Sequence, residues 1–236
     1  MSYPSIQAGP AGSSTLLEPA DRFRDGRSIR PSHMIVETIL VTAGVFVAAR
    51  LLLTRSVAGH QWLLIPGLLV AGALIPTWIA RRDFAHIGFH RDDAMRTFRI
   101  LGGVCLCVFP LLLLGLRIAA HFELPIPLRP SVVGQRGWLA WLLYQFLYVA
   151  VAEEVFFRGY VQTNVARVLA TRPWRSQVAR EAVVLLLSAA CFAVAHALVQ
   201  GRVLSLLTFF PGLLLAWLFS RTRVLLAPIL FHGLAN

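Results

Sequence analysis

The sequence contains no lysine: all 22 of its basic residues are arginine, against 11 acidic residues in 236. Without lysine there is no Ser–Lys hydrolytic dyad, and no GxSxG stretch supplies a nucleophile elbow for Ser188, Ser205 or Ser220. HExxH is also missing, which removes the common helix-borne zinc site. The three cysteines, Cys105, Cys107 and Cys191, lie in apolar runs without CxxC spacing and read as small hydrophobes rather than as a redox or metal motif. A cleavable leader is not expected, because the first apolar run begins only at Met34.

What the chain has in excess is apolar surface. It is 57% hydrophobic and only 14% charged, with a mean hydropathy of +0.69, beyond the range of soluble domains. Several runs approach the roughly 20 residues that a helix rising about 1.5 Å per residue needs to cross hydrocarbon. The expected spans are 34–53, 62–80, 100–120, 138 to about 157, 182–199, 203–219 and 224–236. The expected fold is therefore all-α, a polytopic transmembrane bundle of about seven spans. The seventh run, from Val224 to Asn236, reaches roughly 20 Å and is short for a crossing.

A formal net charge of +11 would suit a nucleic-acid ligand if the arginines shared one surface. Instead they mark alternate connections: the N-terminal tail, then Arg81, Arg82, Arg91, Arg96 and Arg99, then Arg167, Arg172, Arg175 and Arg180, then Arg221 and Arg223. That alternation argues against nucleic acid and for a bilayer. It puts the N terminus in the cytoplasm and suggests a prokaryotic cytoplasmic (inner) membrane. Residues 1–32 read as a disordered basic tail, and 33–236 as one membrane domain with no internal repeat. Gly159 to Ala170 reads as a helix extension into the interface, ended by Thr171-Arg172-Pro173.

Ionisable side chains inside hydrocarbon need partners or a function. Glu37 lies within a turn of the first span's start, where it can reach headgroups or shift that boundary, and it reads as structural. Glu153 and Glu154 are harder to dismiss, standing between the apolar stretches 138–152 and 155–157. Arg158 follows Glu154 by four residues and shares its helix face, whereas Glu153 points about 100° away. Glu154 can then pair with Arg158 and leave Glu153 free to take a proton from water. An interfacial helix with an ordinary ion pair would give the same pattern. His196, late in its run, is the kind of residue often tied only to a backbone carbonyl. His232 and Asn236 are four apart and project from one face, a spacing that suits two donors on one oxyanion.

Taken in order, Glu153-Glu154-xxx-Arg158, Phe192-xxx-His196 and His232-xxx-Asn236 resemble the three motifs of the CAAX-protease and bacteriocin-processing (CPBP, or Abi) family, which includes the Ras-converting CAAX endopeptidase. The resemblance covers about 138–236 and implies an intramembrane endopeptidase with its catalytic core there. It implies that Glu153 and His196 activate water, that His232 and Asn236 stabilise the oxyanion, and that Glu154, Arg158 and Phe192 support them. The favoured chemistry is of the glutamic type with no cofactor. The alternative is a zinc metalloendopeptidase with Glu153, His196 and His232 as ligands. The partner it implies is a membrane-anchored protein or peptide substrate, with a prenylated CAAX tail, a leader peptide and a C-terminal sorting tag all open. Two rival readings remain at this point: a non-catalytic bacteriocin-immunity or peptide-binding protein, and a proton-relay transporter, for which the discontinuous helices and repeated half that would favour it are not visible.

Overall fold

A computed structural model describes residues 30–54, 61–89, 94–124 and 137–236, so nearly all of the tail expected over 1–32 lies outside the described residues. Seven helices carry the architecture: α1 (Pro31–Thr54), α2 (Gln61–Ile79), α3 (Ala94–His121), α4 (Trp138–Ala170), α5 (Gln177–Gln200), α6 (Val203–Thr222) and α7 (Leu226–Ala235). The described residues contain no strand. Length and apolar composition let α1, α3, α4, α5 and α6 cross a bilayer, while α2 and α7 are shorter apolar helices. The chain is an integral membrane protein, an all-α bundle whose seven apolar runs each became a helix.

The largest difference from the sequence reading is in α4. The expected fourth span stops near 157, but the helix continues to Ala170, and the part beyond Glu154 enters the bundle rather than the interface. Every residue from Val155 to Gln162 is buried. Val155, Phe156, Phe157, Tyr160 and Val161 form a core with Val45 of α1, Leu69 and Ala73 of α2, and Phe192 and Ala195 of α5. A helix that is wet on no side has to satisfy its polar groups internally. Gln162 does so by donating to the Ala216 carbonyl at 2.9 Å, and Arg158 by donating to the Gly212 carbonyl at 3.1 Å, both on α6.

Two stretches of α4, Gln145–Ala150 and Val155–Gln162, are wound more widely than an α-helix, with i→i+5 bonding. Side chains supply hydrogen bonds to carbonyls in the second stretch: Thr163 Oγ1 donates to the Arg158 carbonyl at 3.2 Å, and Ser188 Oγ to that of Phe157 at 3.4 Å. Helix neighbours approach closely where a side chain is missing, as membrane packing requires. A Cβ on Gly72 would lie 2.6 Å from Val45 Cγ2, and one on Gly233 would lie 2.4 Å from Phe146 Cδ1, so α2 seats against α1 and α7 against α4.

Glu37 corrects its sequence reading. Instead of reaching headgroups it receives both Arg82 guanidinium nitrogens, at 3.0 and 2.7 Å, and the Tyr160 hydroxyl at 2.9 Å. This network ties α1, the turn after α2 and the buried part of α4 at one end of the bundle.

Candidate active site

The acidic pair sits near the middle of α4, between its two widely wound stretches, so both carboxyl groups start from the interior of the bundle. Glu154 is fully buried. Its Oε1 accepts from Arg158 Nη1 at 3.0 Å, the i, i+4 contact that the spacing suggests, and from His232 Nδ1 of α7 at 2.7 Å. One buried anion therefore meets one buried cation and one imidazole, which offsets most of the desolvation that a lone carboxylate would suffer.

Glu153 is oriented differently. Its Oε2 is buried and has no hydrogen-bond partner among the described residues. It lies 3.8 Å from His196 Nε2 and 3.7 Å from His232 Nε2. Both separations are too long for a direct hydrogen bond and suit one bridged by a third group.

The state of each imidazole follows from its other nitrogen. His196 Nδ1 is 3.0 Å from the Phe192 carbonyl, which can only accept, so Nδ1 carries the hydrogen. His232 Nδ1 donates in the same way to the Glu154 carboxylate. In their neutral forms both rings then present a bare Nε2 toward Glu153. Three acceptors face one another, and a molecule with two hydrogens to donate, such as water, is the chemical complement of that arrangement.

Phe192 holds these groups in place. Its ring carries the Arg158 guanidinium 4.5 Å from the centroid and lies 4.3 Å from the His196 ring and 5.9 Å from that of His232, centroid to centroid. Phe157 meets Phe192 edge to face at 5.1 Å. A cation over one aromatic, with imidazoles at its periphery, is a packed and mutually restraining cluster.

The structure thus brings Glu153, Glu154, Arg158, Phe192, His196 and His232 together. It does not place Asn236 in the same cluster: the Asn236 amide Nδ2 donates to Gln145 Oε1 at 3.2 Å, two turns before Glu153 on α4. Gln145 was not singled out in the sequence, and only its position on the acidic helix could have drawn attention to it. As for zinc, whose donors must close to about 2.0–2.2 Å around the ion, no group of three His, Cys, Asp or Glu side chains among the described residues is disposed to hold a metal ion.

The continuation of α4 also settles a mismatch of depth. A span ending near 157 would put Glu153 at one end of its helix and His196 near the other end of α5. With α4 running to Ala170, Glu153 falls near the helix midpoint, level with residues 192–196 of an antiparallel neighbour.

Residues 135–236 match the family model described as Rce1-like, type II CAAX prenyl endopeptidase. The matched region spans α4 to α7 and leaves out α1, α2 and α3. No curated protein and no solved structure matches the chain.

Proposed function

We propose that residues 135–236, which belong to the CAAX-protease family, hydrolyse a peptide bond of a membrane-associated protein or peptide by a glutamate-activated water. The observation that carries this reading is the buried, unbonded Glu153 Oε2 faced by the bare Nε2 atoms of His196 and His232.

A water held among these three acceptors loses a proton to Glu153 as its oxygen attacks the scissile carbonyl carbon. His196, fixed by its Nδ1–H to the Phe192 carbonyl, orients that water. The tetrahedral oxyanion requires donors. The Asn236 amide nitrogen has two hydrogens, one on Gln145 and a second to offer, and His232 can carry a proton on Nε2 because Glu154 stabilises the imidazolium from the other side. Glu153 then returns its proton to the leaving nitrogen, the C–N bond breaks, and a carboxylate and an amine leave the site. Among substrates, a lipid-anchored tail of the CAAX type is the first to try, on the strength of the family description.

The orientation we favour is N terminus in the cytoplasm of a prokaryotic cell, because Arg81, Arg82, Arg172, Arg175, Arg221 and Arg223 fall at one end of the helices they join. The test uses purified protein in lipid nanodiscs with lipid-anchored peptides, products being read by mass spectrometry. Wild type should release defined fragments and Glu153→Gln none; equal cleavage by both would end the glutamate reading. Binding without product in either protein would favour the immunity or peptide-binding alternative. Dialysis against a strong chelator should leave the rate unchanged, whereas loss of activity restored by zinc would make the three residues metal ligands.

A further inference from the structure

A cavity of about 140 Å³ opens directly beside the acidic pair, with Glu153 and His196 in its wall. Most of the remaining wall is apolar and comes from helices outside the family match: Phe46 and Ala49 of α1, and Ile65 and Leu69 of α2. Phe157 of α4 closes it from the side of the buried core.

Three features make this more than a packing defect. Membrane bundles close gaps by bringing small residues together, and α1 and α2 do so at Gly72, only one turn from Leu69, yet they stand apart here. The polar groups that interrupt the wall are the proposed base and its imidazole partner, not incidental side chains. The size is also selective: a cavity of about 150 Å³ lined by aliphatic and aromatic groups accommodates a benzene-sized guest. Such a space admits an isopropyl or isobutyl group, excludes an indole, and offers nothing to a charge.

We infer that α1 and α2 form a specificity pocket for one aliphatic side chain of the residue flanking the scissile bond, with Ala49 and Leu69 setting the largest side chain that fits. The inference rests on the peptidase reading above. The bond under attack must lie within reach of Glu153, so a side chain that enters the cavity belongs to a residue adjacent to that bond. The family-matched helices supply the chemistry, and the unmatched pair selects what is presented to it.

The experiment uses full-length protein in nanodiscs and a library of lipid-anchored peptides in which each position is varied among Gly, Ala, Val, Leu, Phe, Trp and Asp. At one position flanking the cleaved bond, wild type should favour Val and Leu over Gly by about 10-fold or more and reject Trp and Asp, a discrimination in the range that apolar pockets achieve. Ala49→Leu should shift the preference to Gly and Ala, and Leu69→Ala should extend it to Phe, each through KM and kcat/KM more than through kcat. Cleavage that continues in both variants with the wild-type profile overturns the pocket and leaves the peptidase standing. Should one variant fail to fold, the other decides. No product from wild type with any library member would overturn the peptidase reading and the pocket with it.

Discussion

Helices α3 and α4 are both long apolar segments of one bundle, yet their environments are opposite. The most apolar stretch of α3 has a mean hydropathy of 2.2 and is 6% buried, while that of α4 has 1.4 and is 28% buried. In α3 only Thr97, Leu101 and Ala119 are buried, and Leu106, Leu111 and Leu113 lie open to the surroundings. In α4 the fully buried side chains include Glu154, Arg158 and Gln162. In water the more apolar helix would be expected inside; in lipid the hydrocarbon solvates it, and interior positions go to the helix whose polar groups need partners.

The contrast is tested most sharply at its catalytic extreme. Glu153→Gln removes only a charge, and should lower peptide cleavage by about 10²–10⁴-fold, the usual contribution of a general base, with the unfolding midpoint little changed. Arg117→Gln in α3 should leave the rate within about twofold. If both variants cleaved alike, the two helices would not differ in the way proposed.

Hydropathy already separates these helices from the loops, and the spacing of Glu154 and Arg158 already gives their contact. What the pattern does not carry is partnership across distance. Glu37 reads as an interfacial acid because nothing near it in sequence announces Arg82 or Tyr160, which reach it only after α1, α2 and α4 have packed. His232 reads as a donor spaced with Asn236, whereas the fold gives its Nδ1 to Glu154 and the Asn236 amide to Gln145. The apolar lining at Phe46, Ala49 and Leu69 cannot be told from ordinary core residues by spacing at all.

The next largest effect is on stability. Arg158→Leu leaves Glu154 buried without its cation and should cost about 3–5 kcal/mol. Glu154→Gln in the same background should recover part of that loss, as thermal unfolding in detergent would show. Full additivity of the two substitutions would mean that the pair is not coupled.

The smallest contrast is between glycines. Gly233→Ala pushes a methyl group into the Phe146 ring and should cost about 1–3 kcal/mol. Gly115→Ala in α3 meets nothing within 4 Å and should be neutral or stabilising by up to about 1 kcal/mol through helix propensity. Equal shifts in unfolding midpoint would contradict the close seating of α7 on α4.

The wide turns of α4 have a rotational consequence. Leu139, Leu143 and Leu147, exposed by 54%, 50% and 67%, trace a stripe that faces outward. On an unbroken repeat of 3.6 residues, Glu154 would return to an azimuth roughly 60° from Leu139, inside the arc of about 80° that this stripe sweeps. The carboxylate would then point into acyl chains. Because Gln145–Ala150 advances less per residue, the helix lags in phase across this stretch, and Glu154 comes round to the centre, where Arg158 and His232 meet it. A local change of pitch thus lets one continuous rod turn a greasy side to the membrane and an ionic side to its neighbours.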